Sequence, residues 1–127
     1  MKKPRNWRTK FEQNLVARAS NEWYDYKKLA HVYIRTGDRM LRVGNVLTRQ
    51  KAITIANITV WRQRQGTFTS LIKELSEYQL PIVLENVIDK RWEQALVTRH
   101  GWVLNTHRDE FPNDLMLWPE RKINEDV

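Results

Sequence analysis

The chain has 127 residues, 41% of them hydrophobic, a formal net charge of +7 and no cysteine. Its size and apolar content predict one domain with a single core, and the lack of thiols excludes disulfides, zinc–thiolate sites and thiol nucleophiles. No apolar run reaches the roughly 18 residues that a membrane span needs, and no apolar signal core follows the charged N-terminus. We therefore expect a cytoplasmic protein that has no membrane partner.

The N-terminal residues are strongly basic. Residues 1–10 carry five positive charges and no negative charge, and we interpret them as a basic arm ahead of a single domain at 11–120, with a tail at 121–127. Apolar residues between Trp7 and Ala30 recur at mostly helical intervals. This spacing predicts one or two helices, with a break near Ser20 and Asn21.

A three-stranded antiparallel meander is predicted next. Alternation over His31 to Arg35 indicates a strand, and Gly37-Asp38 is typical of a hairpin turn. The partner strand is predicted over Arg39 to Leu47, and the third strand over Ala52 to Val60.

The third strand leads through a short Arg/Gln/Gly turn directly into a predicted helix. Apolar residues recur at helical spacing after Gly66, at Leu71, Ile72, Leu75 and Tyr78. The first turn of a helix has backbone N–H groups without partners and the positive end of the helix dipole, which favour a phosphate. Because Gly66 lets the backbone approach closely, the sequence predicts an anion site here.

The second half of the chain is predicted to contain a strand, a helix and a closing hairpin, in that order. Leu80 to Val87 is an apolar strand, and Asp89 is placed to cap a helix over Lys90 to His100, which Gly101 ends. Trp102 to His107 and Asp114 to Trp118 would form a closing hairpin around Phe111-Pro112-Asn113. The predicted class is α/β, with a mixed, mostly antiparallel sheet.

Two blocks carry a resemblance to the GNAT family of N-acetyltransferases. The segment Gln63-Arg64-Gln65-Gly66-Thr67-Phe68 is similar to the acyl-CoA pyrophosphate loop of that family, in which a Gln or Arg is followed by two residues, Gly, one residue, and Gly or Ala. Phe68 stands at the last of these positions. The run ENVIDKRWEQALVTRHGW resembles the family's later region and, through Glu-Asn-Val, its short phage-encoded members.

The resemblance covers roughly residues 30–118 and implies a GNAT-like sheet with helices on both faces. It also implies acetyl-CoA as cofactor, an amine as acceptor and, for a phage-encoded protein, the host cytoplasm. The pantetheine arm would bind between the strand ending near Val60 and the strand beginning near Pro81, much as an added strand would. The implied cofactor-binding residues are Ile58, Val60, Gln63, Arg64, Gln65, Gly66, Thr67 and Phe68.

The catalytic candidates are Glu85 and Asn86. A carboxylate at the mouth of the cleft could take the amine proton, directly or through a water, and Asn86 could position that water or cap the next turn. His31 and Tyr33 could also face the cleft. Val97 occupies the position where many family members have the Tyr that protonates the leaving thiolate. The three histidines show no paired metal spacing, so no metal site is predicted.

Two other functions stay open at this point. One is a catalytically silent domain of the same fold that binds a host protein or nucleic acid through its basic surface. The other is a nucleic-acid-binding protein without a CoA site, in which Trp61, beside Arg62 and Arg64, would stack a base.

Overall fold

The part of the chain that the structure describes contains three helices and six strands. The structure is a computed structural model that describes residues 6–44, 46–61, 66–85, 87, 90–105 and 114–119. The helices are α1 (Trp7–Leu15), α2 (Thr67–Ser76) and α3 (Lys90–Arg99). The strands are β1 (Ser20–Tyr26), β2 (Ala30–Val43), β3 (Val46–Val60), β4 (Ile82–Leu84), β5 (Val103–Leu104) and β6 (Leu115–Leu117).

The strands form one six-stranded sheet in the order β1-β2-β3-β4-β6-β5. Only β3 and β4 are parallel, and α2 is the crossover that joins them. The other neighbours are antiparallel, and β6 lies between β4 and β5. The predicted α/β class with a mixed, mostly antiparallel sheet is confirmed.

The two faces of the sheet are covered differently. All three helices contribute buried residues to the larger core cluster, which includes Phe11 of α1, Leu75 of α2 and Leu96 of α3. We call this side the helix face. Side chains alternate along a strand, so Ala52, Val83 and Met116, next to core residues, lie on the opposite side, which we call the open face. The smaller cluster there contains only strand residues and the partly buried Trp118.

The expected helices on both faces are not seen in the described part of the chain. The reason is that α1 and α3 both pack against the region of α2. The ring of Phe11 lies 5.1 Å from that of Tyr78, just after α2, and the ring of Phe68 in α2 lies 5.1 Å from that of Trp92 in α3. One helical layer therefore covers one face.

Helix α1 begins inside the predicted basic arm. Asn6 caps it, its side-chain oxygen accepting from the Thr9 N–H at 2.9 Å. Trp7 is buried and Arg8 forms an ion pair with Glu77 at 2.5 Å. The expected boundary between arm and domain at residue 10 therefore falls within α1, because the side chain of Trp7 is part of the core. Residues 1–5 lie outside the described residues.

The predicted second helix between residues 20 and 30 is wrong, since Ser20–Tyr26 is strand β1. Tyr24 and Tyr26 are buried on the helix face, whereas Trp23 and Asp25 are exposed. This segment pairs with β2 from Ser20↔Thr36 to Tyr26↔Ala30. Its side chains alternate between the two faces of the sheet, and this two-residue period fits the segment better than the looser helical spacing does.

The hairpin turn is also placed differently from the prediction. Strand β2 continues through Gly37 and Asp38, and the chain turns at Gly44, where φ is 61°. At Gly37, with φ 144°, an added Cβ would lie 3.2 Å from the Ala19 Cβ. Gly37 therefore marks a close approach of two chain segments instead of a turn.

The second half of the chain follows the predictions more closely. The helix after Gly66, the helix from Lys90 and the closing hairpin of β5 and β6 are all present. Gly101, with φ 75°, ends α3, and the Trp102 N–H donates to the Leu96 carbonyl at 3.2 Å. Strand β4 is shorter than the predicted Leu80–Val87. The predicted cap Asp89 and the turn at 111–113 lie outside the described residues.

Candidate functional site

Strands β3 and β4 pair over only three residues, and β3 continues beyond the end of β4. The register runs from Ile53↔Ile82 to Ile55↔Leu84, and the last contact is the Glu85 N–H donating to the Ile55 carbonyl at 3.1 Å. Strand β3 continues to Val60, still paired with β2. The β3 residues beyond Ile55 thus lie past the end of β4, on the side where the sequence predicts a cofactor cleft.

A bulge changes the direction of the backbone groups of β3 at this point. The pairing with β2 skips Ala56 between Ile34↔Ile55 and Tyr33↔Asn57, and such an extra residue bends and twists a strand. Beyond it, the Trp61 N–H donates to Leu29 of the β2 side at 2.9 Å. Because backbone groups alternate sides along a strand, the peptide groups of Ile58 and Val60 face away from β2, toward the gap.

The amino end of α2 lies at the chain segment that follows this edge. Gly66 is the N-cap residue, with φ 68° and ψ 17°, and no side chain caps the helix. A Cβ at Gly66 would meet nothing within 4 Å, so its surroundings are open. The first turn of this ten-residue helix carries no acidic residue. The N–H groups at the start of α2 are therefore suited to an anion.

Phe68 turns into the protein instead of toward the loop. Its ring contacts Trp92 edge-on at 5.1 Å and lies 6.2 Å from the ring of Trp102. The Phe68 side chain therefore packs α2 against α3. Thr67 is buried beside it. The other predicted loop residues, Gln63, Arg64 and Gln65, lie outside the described residues.

Glu85 follows β4 directly, and its carboxylate is held by two arginines of β2. Oε1 lies 3.2 Å from Nη1 of Arg35, and Oε2 lies 3.3 Å from Nη1 of Arg39. The Glu85 side chain is 16% exposed, whereas that of Arg35 is 51% exposed. Glu85 is therefore a paired carboxylate at the edge of the gap. The predicted Asn86 lies outside the described residues.

The cluster around Glu85 contains residues that the sequence analysis missed. Arg39 also contacts the buried carboxylate of Asp114 at 3.2 Å and the hydroxyl of Thr54 at 3.2 Å. A correct turn at Gly44 would have revealed this grouping, because Arg35 and Arg39 then lie on the same face of one strand. Asp114 gives no sequence signal, since its partner is 75 residues away.

A row of aromatic rings lies on the open face. His31 and Tyr33, which the sequence analysis places near the cleft, both contact Trp23 of β1. The His31 ring is stacked on Trp23 with centroids 4.4 Å apart, and the Tyr33 ring is tilted against it at 5.0 Å. Trp61 lies 6.5 Å from His31, with its ring nearly parallel, and the Arg35 guanidinium lies 5.6 Å from the Tyr33 ring centroid. We call these five residues the aromatic row. The sequence analysis does not identify Trp23 as part of this row, because it predicts a helix where β1 lies.

A groove of about 1140 Å³ lies at the other end of the sheet. Its walls come from the β2–β3 hairpin, from Pro81 before β4 and from Leu104 and Trp118. None of the predicted site residues that the structure describes lines it. Val97, the position of the family's tyrosine, is exposed on α3.

Comparisons with known proteins give no assignment. No protein family matches the chain, and neither the curated proteins nor the solved structures contain a match. Among the described residues, no helix is long and apolar enough to cross a membrane.

Proposed function

We propose that the protein is a GNAT-like domain that binds an acyl-CoA, acetyl-CoA in the first place, in the gap beyond the paired part of β3 and β4. The observation that carries the proposal is the backbone edge of β3. Ile58 and Val60 direct their peptide groups toward the gap, and β4 pairs with β3 only as far as Ile55. A pantetheine arm has amide groups that can pair with such an edge as a strand would.

The position of α2 supports the same ligand. The chain leaves β3 after Val60 and enters α2 at Gly66. A helix start suited to an anion and a strand edge without a partner strand among the described residues therefore occur close together in the sequence. A pyrophosphate bound to the first turn of α2 would place the attached pantetheine arm at the β3 edge. The inward-facing Phe68 leaves the space beside Gly66 open.

Acetyl transfer to an amine is the reaction that fits this ligand. The peptide N–H groups facing the gap would stabilise the oxyanion that develops on the thioester carbonyl. Glu85 would receive the amine proton as the new C–N bond forms. The C–S bond would then break, and CoA would leave as a thiolate that water protonates. The Glu85 partner Arg35 is half exposed, and a solvated ion pair is worth little, so a cationic amine can replace Arg35 at Oε1 while Arg39 continues to hold Oε2.

A matched pair of glycine variants tests the binding site. Gly66→Asp places a carboxylate where the pyrophosphate would bind, whereas Gly44→Asp makes the same change at the remote hairpin. Both glycines have positive φ, 68° and 61°, and open space around Cβ, so backbone strain is similar. A ligand at 100 times its Kd stabilises the folded state by about 2.7 kcal/mol.

Thermal unfolding with acetyl-CoA, CoA and ADP measures this effect. We expect all three ligands to raise the Tm of the wild type and of Gly44→Asp, and none to raise that of Gly66→Asp. An unchanged wild-type Tm with acetyl-CoA, or an equal rise in Gly66→Asp, would contradict the assignment.

A further inference from the structure

The open face of the sheet presents aromatic rings that the fold does not need for its core. The side chains of Trp23 and Trp61 are 40% and 58% exposed, and none of the described helices covers them. Exposed large aromatic rings in a contiguous group indicate a binding surface more often than a single exposed ring does. The acyl-CoA proposal uses none of these rings.

The geometry of the row suits planar ligands placed one after another. His31, Tyr33 and Arg35 alternate along β2, so their side chains project from the same face at intervals of about 6.6 Å. Trp23 pairs directly with Tyr33 in the register, and Trp61 extends the row beyond His31. Trp23 stacks on His31 and contacts Tyr33 at a tilted angle, and these contacts restrain the orientation of its ring before any ligand binds.

The charge around the row favours a polyanion. Arg35 lies at one end, over the Tyr33 ring. At the other end, the Trp61 N–H donates to Leu29, next to the β1–β2 turn that contains Lys27 and Lys28. The acidic groups on this part of the face have partners, since Glu85 is held by arginines and Asp25 accepts from the Lys28 N–H at 2.8 Å.

The β1–β2 turn adds a second observation. Lys27 and Lys28 adopt φ of 53° and 61°, the left-handed region that such turns usually fill with Asn or Gly. The Lys27 ammonium pairs with Glu74 at 3.0 Å on the helix side. Lys28 is exposed. The turn therefore displays a cation next to Leu29, whose carbonyl accepts from the Trp61 N–H, at a conformational cost that an Asn-Gly turn would avoid.

We propose that the aromatic row binds single-stranded nucleic acid, with bases stacked on Trp61, Trp23 and Tyr33 and with phosphates near Lys28 and Arg35. Stacking on aromatic rings of an exposed sheet is a general way to hold unpaired bases, and it tolerates any base because each has a π face. A duplex offers its bases only at its ends. The surface should therefore distinguish single strands from duplexes, which a merely basic surface would not do.

Fluorescence anisotropy with a labelled thymidine oligonucleotide and with a duplex of the same length, at low salt, tests the proposal. We expect the single strand to bind more tightly than the duplex. Trp61→Ala and Trp23→Ala should each weaken single-strand binding by roughly 10-fold or more. Lys28→Ala should lower the affinity less and reduce the salt dependence by close to one unit of slope.

Met40→Ala and Arg49→Ala are the matched controls. These residues pair with each other in the far part of the β2–β3 hairpin, and Met40 is 45% exposed, similar to Trp23. Both controls should bind like the wild type, and so should Gly66→Asp, which separates this surface from the acyl-CoA site. Thermal melts confirm that each variant is folded.

Three results would overturn the proposal. They are the absence of binding to any oligonucleotide at low salt, equal or tighter binding of the duplex, and unchanged affinity in folded Trp61→Ala and Trp23→Ala.

Discussion

The two faces of the sheet use the same residue types for different purposes. On the helix face, the buried Trp7 ring contacts the buried rings of Phe11 at 5.9 Å and Tyr26 at 5.4 Å. On the open face, His31 lies between the neighbouring rings of Trp23 and Trp61, yet both tryptophans are exposed. Aromatic residues thus stabilise the fold on one side and remain accessible on the other. Burial, and not residue type, distinguishes the two roles.

Truncation of one ring on each face tests this difference in stability. Phe11 is fully buried, with the rings of Tyr24 and Tyr78 at 5.7 Å and 5.1 Å. Phe11→Ala should lower the free energy of unfolding by about 3–5 kcal/mol. Trp23→Ala removes a larger but partly solvated ring and should cost less, about 1 kcal/mol. Denaturant unfolding measures both, and a cost for Trp23→Ala as large as that for Phe11→Ala would show that the open face is also part of the core.

The sequence predicted the second half of the fold better than the first half. The segment after Gly66 has strong apolar periodicity with a glycine at its start, and the helix from Lys90 ends at Gly101, so local signals agree with the tertiary structure. In the segment Ser20–Tyr26, by contrast, two buried tyrosines alternate with polar residues and Trp23, and this pattern was outweighed by helical spacing from α1. The sequence predicts the hairpin turn at Gly37 and not at Gly44. The reason is that a glycine required by the close approach of two chain segments cannot be distinguished, in the sequence, from a glycine in a turn.

The candidate site was predictable only in part for the same reason. Gly66 and Glu85 could be found because Gly66 directly precedes helix α2 and Glu85 directly follows strand β4. Arg35 and Arg39 could not be assigned to Glu85, since the misplaced turn separated them onto two strands. The stack of Trp23 on His31 depends on the register of β1, which the helix prediction excluded.

The Glu85 carboxylate at the edge of the open face gives the next test, and this test depends on the proposed acetyl transfer. Glu85→Gln keeps the shape of the side chain but cannot accept the amine proton, so the rate at neutral pH should fall by about 100-fold or more. The loss should be smaller at high pH, where the amine is already uncharged. A purely structural role for Glu85 would reduce the rate equally at every pH.

Released CoA can be followed with a thiol reagent and a panel of primary amines, because the chain has no cysteine of its own. Glu77→Gln is the control, since Glu77 is an exposed carboxylate on the helix side, paired with Arg8. It should react at the wild-type rate. Full activity of Glu85→Gln at neutral pH would assign this residue to the ion-pair cluster alone.

The smallest expected effect concerns the carboxylate that joins α2 to β1 on the helix face. Burial alone would raise the pKa of Glu74, but hydrogen bonds from the Tyr26 hydroxyl and the Lys27 ammonium outweigh burial and hold the pKa below its usual value of 4.5. A carboxyl whose pKa is lowered by folding stabilises the folded state above its unfolded pKa, and this contribution is lost as the pH falls through the folded pKa. The wild type should therefore lose stability on acidification below pH 4.5.

Glu74→Gln should remove part of this dependence. An amide replaces the charged hydrogen bonds only partly, so the variant should be less stable at neutral pH by about 1 kcal/mol. Its stability should then fall less than that of the wild type as the pH drops, so that the two curves converge in acid. Urea unfolding at neutral and acidic pH measures both quantities, with Glu77→Gln as the exposed control on the same side. If the curves stay parallel, Glu74 does not contribute to the acid sensitivity.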